Sequence, residues 1–210
     1  MQSVFLFDLD ATLTKVETLP LIAKHFHKTK QIEKLTKQTL RGELDFTQSL
    51  KQRVAILGDI SPQDIADFLA NIALWEEFVS FIAKHKKNSF IVTGNLDIWV
   101  EKLVEPLGVE VFSSKAVFCD GKTVLQSVLQ KQEVVKQFQK EGKYVVMVGD
   151  SLNDKEAFLA ADYAVLSALV HPPLQGLVDV VDEVLQTTSD SFLHKFLSDN
   201  LIFIDNNINI

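Results

Sequence analysis

Two aspartates stand two residues apart in Asp8-Leu9-Asp10-Ala11-Thr12, directly after the apolar run Val4-Phe5-Leu6-Phe7. Side chains alternate along a strand, so a strand that continues through this segment aims both carboxylates the same way. Paired carboxylates repel, and an apolar setting tolerates them only beside a partner or a bound cation. Further polar residues close later apolar runs. Ile91-Val92 leads into Thr93-Gly94-Asn95, and Val146-Met147-Val148 leads into Gly149-Asp150-Ser151-Leu152-Asn153-Asp154, with Lys131 opening the helix before that run. Ligands of open α/β sheets sit beyond the carboxyl ends of the strands. A hydroxyl, a lysine and four carboxylates thus converge on one sheet edge. Each has a plainer reading: a solvated strand end or helix cap for the first aspartates, a β-branched strand residue for Thr93, a solvated Lys131, first-turn helix charge for Asp154. All of these would have to hold together.

The elements that must position these residues follow from periodicity. Continuous apolar runs of strand length occur at Val4–Leu9, Ser89–Thr93, Val109–Phe112, Lys143–Val148 and Tyr163–Leu166. Helical spacing links Trp75, Phe78, Val79 and Ile82, then Ile98, Val100, Leu103 and Val104, then Val134, Val135 and Phe138, then Phe158 and Leu159. Such alternation predicts a parallel sheet covered on both faces. A hairpin from Lys115 to Leu125, turning at Asp120-Gly121, interrupts it.

One stretch does not alternate. From Thr14 to Leu74 only helical patterns occur, such as Leu21-Ile22 with Phe26, and Ile32 with Leu35. It holds nine Lys/Arg against seven Asp/Glu, so the mild basicity sits here and the rest of the chain is acidic. The reading is a helical insertion at 14–74 between the first and second strands of a core formed by 1–13 and 75–210. A solvated face accounts for Lys24, Lys28, Lys30, Lys34 and Lys37.

The 210 residues are 47% hydrophobic and 23% charged, which supports a real core and excludes disorder as the main state. A net charge of −7 argues against nucleic-acid phosphate as a partner. No run approaches the roughly 18 apolar residues of a membrane span, and the N-terminus lacks a secretory pattern. Cys119 is the single cysteine and cannot form an internal disulfide, which fits a reducing, cytoplasmic setting. Oligomeric state is not legible. The tail from Asp199 to Ile210, with Leu201-Ile202-Phe203-Ile204, has no assigned role.

This constellation resembles the haloacid dehalogenase superfamily of phosphohydrolases over nearly the whole chain. Asp8 to Thr12 matches its first signature, Thr93 the second, Lys131 the third, and Gly149-Asp150 with Asp154 the fourth. The resemblance implies a Rossmann-like α/β core with a parallel sheet and a small helical cap. It implies Asp8 as nucleophile, forming an aspartyl-phosphate, and Asp10 as general acid and base. Mg²⁺ would be held by Asp8, the backbone carbonyl of Asp10 and Asp150. Thr93, Gly94, Lys131 and Asn153 would bind phosphate, and Asp154 would orient Lys131 and the metal's water shell. Asp10 favours phosphate-ester cleavage, because dehalogenases lack that second carboxylate. A signalling receiver domain shares an acidic cluster, a hydroxyl and a lysine, but it lacks a cap and carries its aspartate on an internal strand.

The insertion is similar to the cap of phosphoserine phosphatases. Glu17 stands nine residues after Asp8, where that family has a glutamate facing the substrate's ammonium. Arg41-Gly42-Glu43-Leu44-Asp45-Phe46, followed by Ser49-Leu50, resembles its cap signature, and Arg53 stands where its carboxylate-binding arginine lies. An arginine fork suits a carboxylate, glutamate suits an ammonium, and Phe46 would shield both from water. The plainer reading makes Glu17 and Arg53 surface residues. Asn95 replaces a usual glycine, Thr93 a usual serine and Leu40 a usual methionine, so another small phosphorylated amine, or transfer to an alcohol, stays open.

Overall fold

The computed structural model describes residues 2–40 and 43–187 of the chain. Seven strands form one sheet in the order β4-β3-β2-β1-β5-β6-β7. They are β1 (Ser3–Phe7), β2 (Ser89–Leu96), β3 (Glu110–Cys119), β4 (Lys122–Ser127), β5 (Tyr144–Gly149), β6 (Tyr163–Ser167) and β7 (Glu183–Leu185). Every neighbouring pair is parallel except β3 and β4, which form an antiparallel hairpin at one edge. The turn of that hairpin uses Asp120 and Gly121, both at positive φ, as a tight hairpin turn requires.

All five residues of β1 are buried, because the strand lies mid-sheet with helices over both faces. On one face, α7 (Lys131–Lys140) and α8 (Lys155–Ala160) set Val134, Val135, Phe138 and Phe158 against Leu6, Val92 and Met147. On the other, α5 (Glu76–Lys84) and α6 (Asp97–Val104) contribute Phe78, Phe81 and Trp99, and Phe81 meets Phe5 edge-on at 5.0 Å. A short α9 (Gln175–Val178) precedes β7.

Between β1 and β2 run α1 (Thr18–His25), α2 (Thr29–Leu40), α3 (Phe46–Leu57) and α4 (Pro62–Leu69). Asp45 caps α3 by accepting from the Gln48 N–H at 3.0 Å, and Pro62 opens α4, where a missing N–H costs nothing. The two ends of this insertion meet in an isolated antiparallel bridge, Thr14 to Leu74. Its inner residues, among them Ile22, Ile32, Leu50, Leu57 and Leu69, join the same apolar cluster as Phe5 and Phe7. On the far side, the Thr123 N–H of β4 donates to the Gly58 carbonyl after α3 at 2.7 Å.

Two expectations need correction, and one strand was not foreseen. The first strand ends at Phe7, not Leu9, because Leu9 to Leu13 wind into one wide turn closed by Thr14 N–H donating to the Leu9 carbonyl at 2.9 Å. The third strand runs from Glu110 to Cys119, so the hairpin extends it and does not stand apart. The three-residue β7 was too short and polar to register as an apolar run. Arg41, Gly42 and the tail 199–210 lie outside the described residues.

Candidate active site

The turn after β1 brings Asp8 and Asp10 together by a route other than strand alternation. The Asp8 N–H donates to the Val148 carbonyl at 2.8 Å, so pairing with β5 persists one residue past the strand. Asp8 and Asp10 both have extended backbones, and Ala11 then enters the left-handed region at φ 54°. A small side chain limits the strain, and the Ala11 N–H donates to the Thr14 hydroxyl at 2.9 Å. Both carboxylates line one cavity as a result.

Beneath it lies a buried charge cluster. Lys131, the first residue of α7, donates to Asp8 Oδ1 at 2.5 Å and to Asp154 Oδ1 at 2.6 Å. These side chains are 2%, 6% and 0% exposed, so the lysine is a buried cation shared by two carboxylates and not a solvated one. The other oxygen of Asp154 accepts from the N–H groups of Asp150 and Ser151, at 3.2 and 3.1 Å, and from the Ser151 hydroxyl. Gly149 makes this approach possible, since a Cβ there would stand 2.5 Å from Asp154 Cγ. The Thr12 hydroxyl reaches Asp150 Oδ1 at 3.5 Å.

Asp8, Asp150 and Asp154 present oxygens within 4.8 Å of one another. Burial, with Asp154 and Asp10 adding repulsion and Lys131 opposing, pushes the Asp8 carboxyl up to about 8. Asp150 is raised well above the ordinary value by burial and by Asp8 and Asp154. Burial works against the Lys131 charge, but Asp154 and Asp8 override it and hold the ammonium above its usual range. One lysine therefore leaves this group of carboxylates short of positive charge. Such a set of hard oxygen donors could hold a divalent metal of the Mg²⁺ type.

Asp10 sits in its own network. Its Oδ1 accepts from the Thr18 N–H at 3.1 Å and from the Thr18 hydroxyl, and its Oδ2 accepts from Asn95 Nδ2 at 3.2 Å. Burial and Glu17 raise its carboxyl, while these donors pull it back down. Thr93 is wholly buried, and its hydroxyl accepts the Asn95 N–H at 3.1 Å, bracing the end of β2 that carries Gly94 and Asn95, where the pairing with β3 shifts register. Gly94 and Asn153 line the cavity, and Lys131 meets it through its hydrogen bond to Asp8.

The insertion closes the other side. Glu17, Phe46 and Arg53 line the same cavity as Asp8 and Asp10. Arg53 is 7% exposed and donates through Nη2 to the Thr36 hydroxyl at 3.2 Å; its Nε finds no partner among the described residues. Burial lowers its pKa, opposed by Glu17 and Asp10. The ring of Phe46 rests on Gly94, where a Cβ would stand 2.3 Å from Cζ. Glu17 Oε1 lies 3.1 Å from His171 Nε2. Sequence reasoning did not single out Thr18, Thr36, Thr39, His171 or Leu174. Thr36 and Thr39 carried a usable signal, being three apart on one face of α2; His171 carried none.

The cavity at the carboxyl ends of β1, β2 and β5 can now be set beside known proteins. A family model for haloacid dehalogenase-like hydrolases matches residues 3–162, and the chain belongs to that family. Within it, the chain is a phosphoric monoester hydrolase similar to phosphoserine phosphatases. It is 32% identical over 174 residues to a phosphoserine phosphatase of Methanocaldococcus jannaschii, covering 76% of this chain and 82% of that one. It is 25% identical over 184 residues to a 2-hydroxy-3-keto-5-methylthiopentenyl-1-phosphate phosphatase of Lysinibacillus sphaericus, covering 77% and 80%. A solved phospho-aspartyl intermediate analogue of phosphoserine phosphatase superposes with a TM-score of 0.79 at 28% identity, covering 93% of this chain and 98% of that one. Among the described residues, no helix is long and apolar enough to cross a membrane.

Proposed function

We propose that this enzyme hydrolyses L-phosphoserine through a phosphorylated Asp8, with Mg²⁺ as cofactor. The observation that carries the reading is the shared cavity: Glu17 and Arg53 open onto the space that Asp8 and Asp10 line. An ammonium, a carboxylate and a phosphate ester can then be met at once. The bridge between Thr14 and Leu74 supports treating residues 14–74 as a cap on a core of 1–13 and 75–210.

Asp8 attacks phosphorus, forming a P–O bond as the serine oxygen leaves and takes the proton of Asp10. Asp10 then accepts a proton from the water that attacks phosphorus and releases phosphate from Asp8. Lys131, the Thr93 hydroxyl, the Gly94 N–H and Asn153 bind phosphate oxygens, and Asp154 orients Lys131. Asp8, Asp150 and the Asp10 carbonyl would hold Mg²⁺, which when bound offsets the phosphate charge that repels a carboxylate nucleophile. On the cap, Arg53 reads the substrate carboxylate, Glu17 reads the ammonium, and Phe46 excludes water. The substrate is a small metabolite, with neither nucleic acid nor membrane involved. Cytoplasmic placement belongs to the same proposal, in keeping with the exposed free thiol of Cys119.

The test compares L-phosphoserine with phosphoethanolamine, which keeps the amine and lacks the carboxylate. A buried charge-assisted pair separates the two by roughly 10²-fold in kcat/KM. Arg53→Ala erases that preference by harming the phosphoserine reaction, whereas Glu17→Gln harms both. If phosphoserine proves no better than phosphoethanolamine or a sugar phosphate, the substrate assignment falls while the phosphatase activity stands.

A further inference from the structure

Glu17 is bound from a part of the chain that none of the four strand-end signatures includes. After β6 the backbone runs from Ala168 to Leu174 before α9 begins, and it crosses the rim of the cavity. Leu174 lines that cavity, and three residues earlier His171 Nε2 meets Glu17 Oε1 at 3.1 Å. This is the only hydrogen bond of His171 among the described residues, and Glu17 Oε2 accepts none there. The two side chains are 36% and 24% exposed, so the contact lies at the mouth and not in the core. Pro172 and Pro173 follow directly, and proline restricts both its own backbone and that of the residue before it. His171 is therefore presented from a stiffened segment.

A glutamate on a cavity rim has three rotatable side-chain bonds and loses that freedom when it binds an amine. A hydrogen bond to one oxygen removes much of the freedom beforehand and leaves the second oxygen open, which strengthens binding without a new substrate contact. We propose that His171 is a positioning residue that presets Glu17 for the amine of the substrate, and so sets the preference for aminated phosphate esters. The proposal rests on the reading of Glu17 as the ammonium partner.

The test compares L-phosphoserine with the phosphate ester of 3-hydroxypropionate, which is the same molecule without its amine. His171→Ala raises KM for phosphoserine roughly tenfold and lowers the kcat/KM ratio between the two substrates by a similar factor, with little change in kcat for phosphoserine. His171→Gln, whose amide can still donate to Glu17, restores most of the ratio. In a Glu17→Gln background, His171→Ala moves the ratio no further. A fall in kcat on both esters with the ratio unchanged makes His171 merely structural and overturns the proposal. A lower KM for phosphoserine in His171→Ala overturns it as well, by making the histidine a competitor of the amine. Failure of the underlying reading shows earlier and separately: the unmodified enzyme then does not favour the aminated ester, and Glu17→Gln changes nothing.

Discussion

Asp8 and Asp154 share one ammonium, yet their surroundings divide the work between them. Asp154 is saturated by Lys131, two N–H groups and a hydroxyl, so it is fixed in place. Among the described residues Asp8 accepts only from Lys131, and it lines the cavity, so one carboxylate is free to react and the other holds the lysine. Asp8→Asn is expected to abolish Mg²⁺-dependent turnover while the protein stays folded, because losing a charge relieves a crowded cluster. Retained activity beyond a trace, measured on purified and folded protein, contradicts the nucleophile assignment. Asp10 is held differently, by Thr18 and Asn95 on its two oxygens. Asp10→Asn is expected to slow phosphoserine far more than p-nitrophenyl phosphate, whose leaving group needs little protonation. Equal losses on both substrates remove Asp10 from the acid role.

At the scale of elements, the site is an agreement between the carboxyl end of β2 and the first turn of α3. Gly94 has no side chain, and Phe46 occupies the space one would fill. Gly94→Ala therefore pushes the ring outward, and the expected result is a KM for phosphoserine raised about tenfold, with a smaller change for p-nitrophenyl phosphate, which does not use the cap. An unchanged KM shows that the ring yields without consequence. The core elements were legible because buried parallel strands are continuous apolar runs and their partner helices repeat every three or four residues. The acidic and hydroxyl residues were legible because they interrupt those runs at the strand ends. What escaped was local geometry. The wide turn at Leu9 to Leu13 depends on Thr14 hydrogen bonds and a left-handed Ala11, neither of which leaves a periodic trace. His171 escaped because its meaning lies in a contact 154 residues distant.

Taken whole, the molecule gathers acidic charge where its strand order reverses. β1 lies between β2 and β5, so the chain builds out from β1 through β2 on one side and returns to β5 on the other, which opens a crevice at the carboxyl ends of β1 and β5. Asp8 and Asp150, both buried, meet the half-buried Asp10 there, and each has its carboxyl raised above the ordinary value. A carboxylate whose folded pKa is raised binds its proton more tightly in the folded state. Its stabilising contribution is complete below the unfolded value near 4 and is lost as pH rises through the folded value, which for Asp8 is about 8. Lys131 is raised too, so its contribution persists across that window. The metal-free protein is thus expected to melt at a lower temperature at pH 8 than at pH 6. A cation bound among these oxygens replaces the missing protons. At about a hundred times its Kd, Mg²⁺ adds roughly 2.7 kcal/mol, or about 5–10 °C of Tm for a chain of this size. Because the cation competes with protons, a fixed Mg²⁺ concentration raises Tm more at pH 8 than at pH 6. Thermal unfolding at the two pH values, with Mg²⁺ and with a chelator, measures both effects. Asp150→Asn is expected to shrink the Mg²⁺ gain and flatten the pH dependence of the metal-free protein. An equal gain at both pH values, or a gain untouched by Asp150→Asn, places the cation away from this cluster.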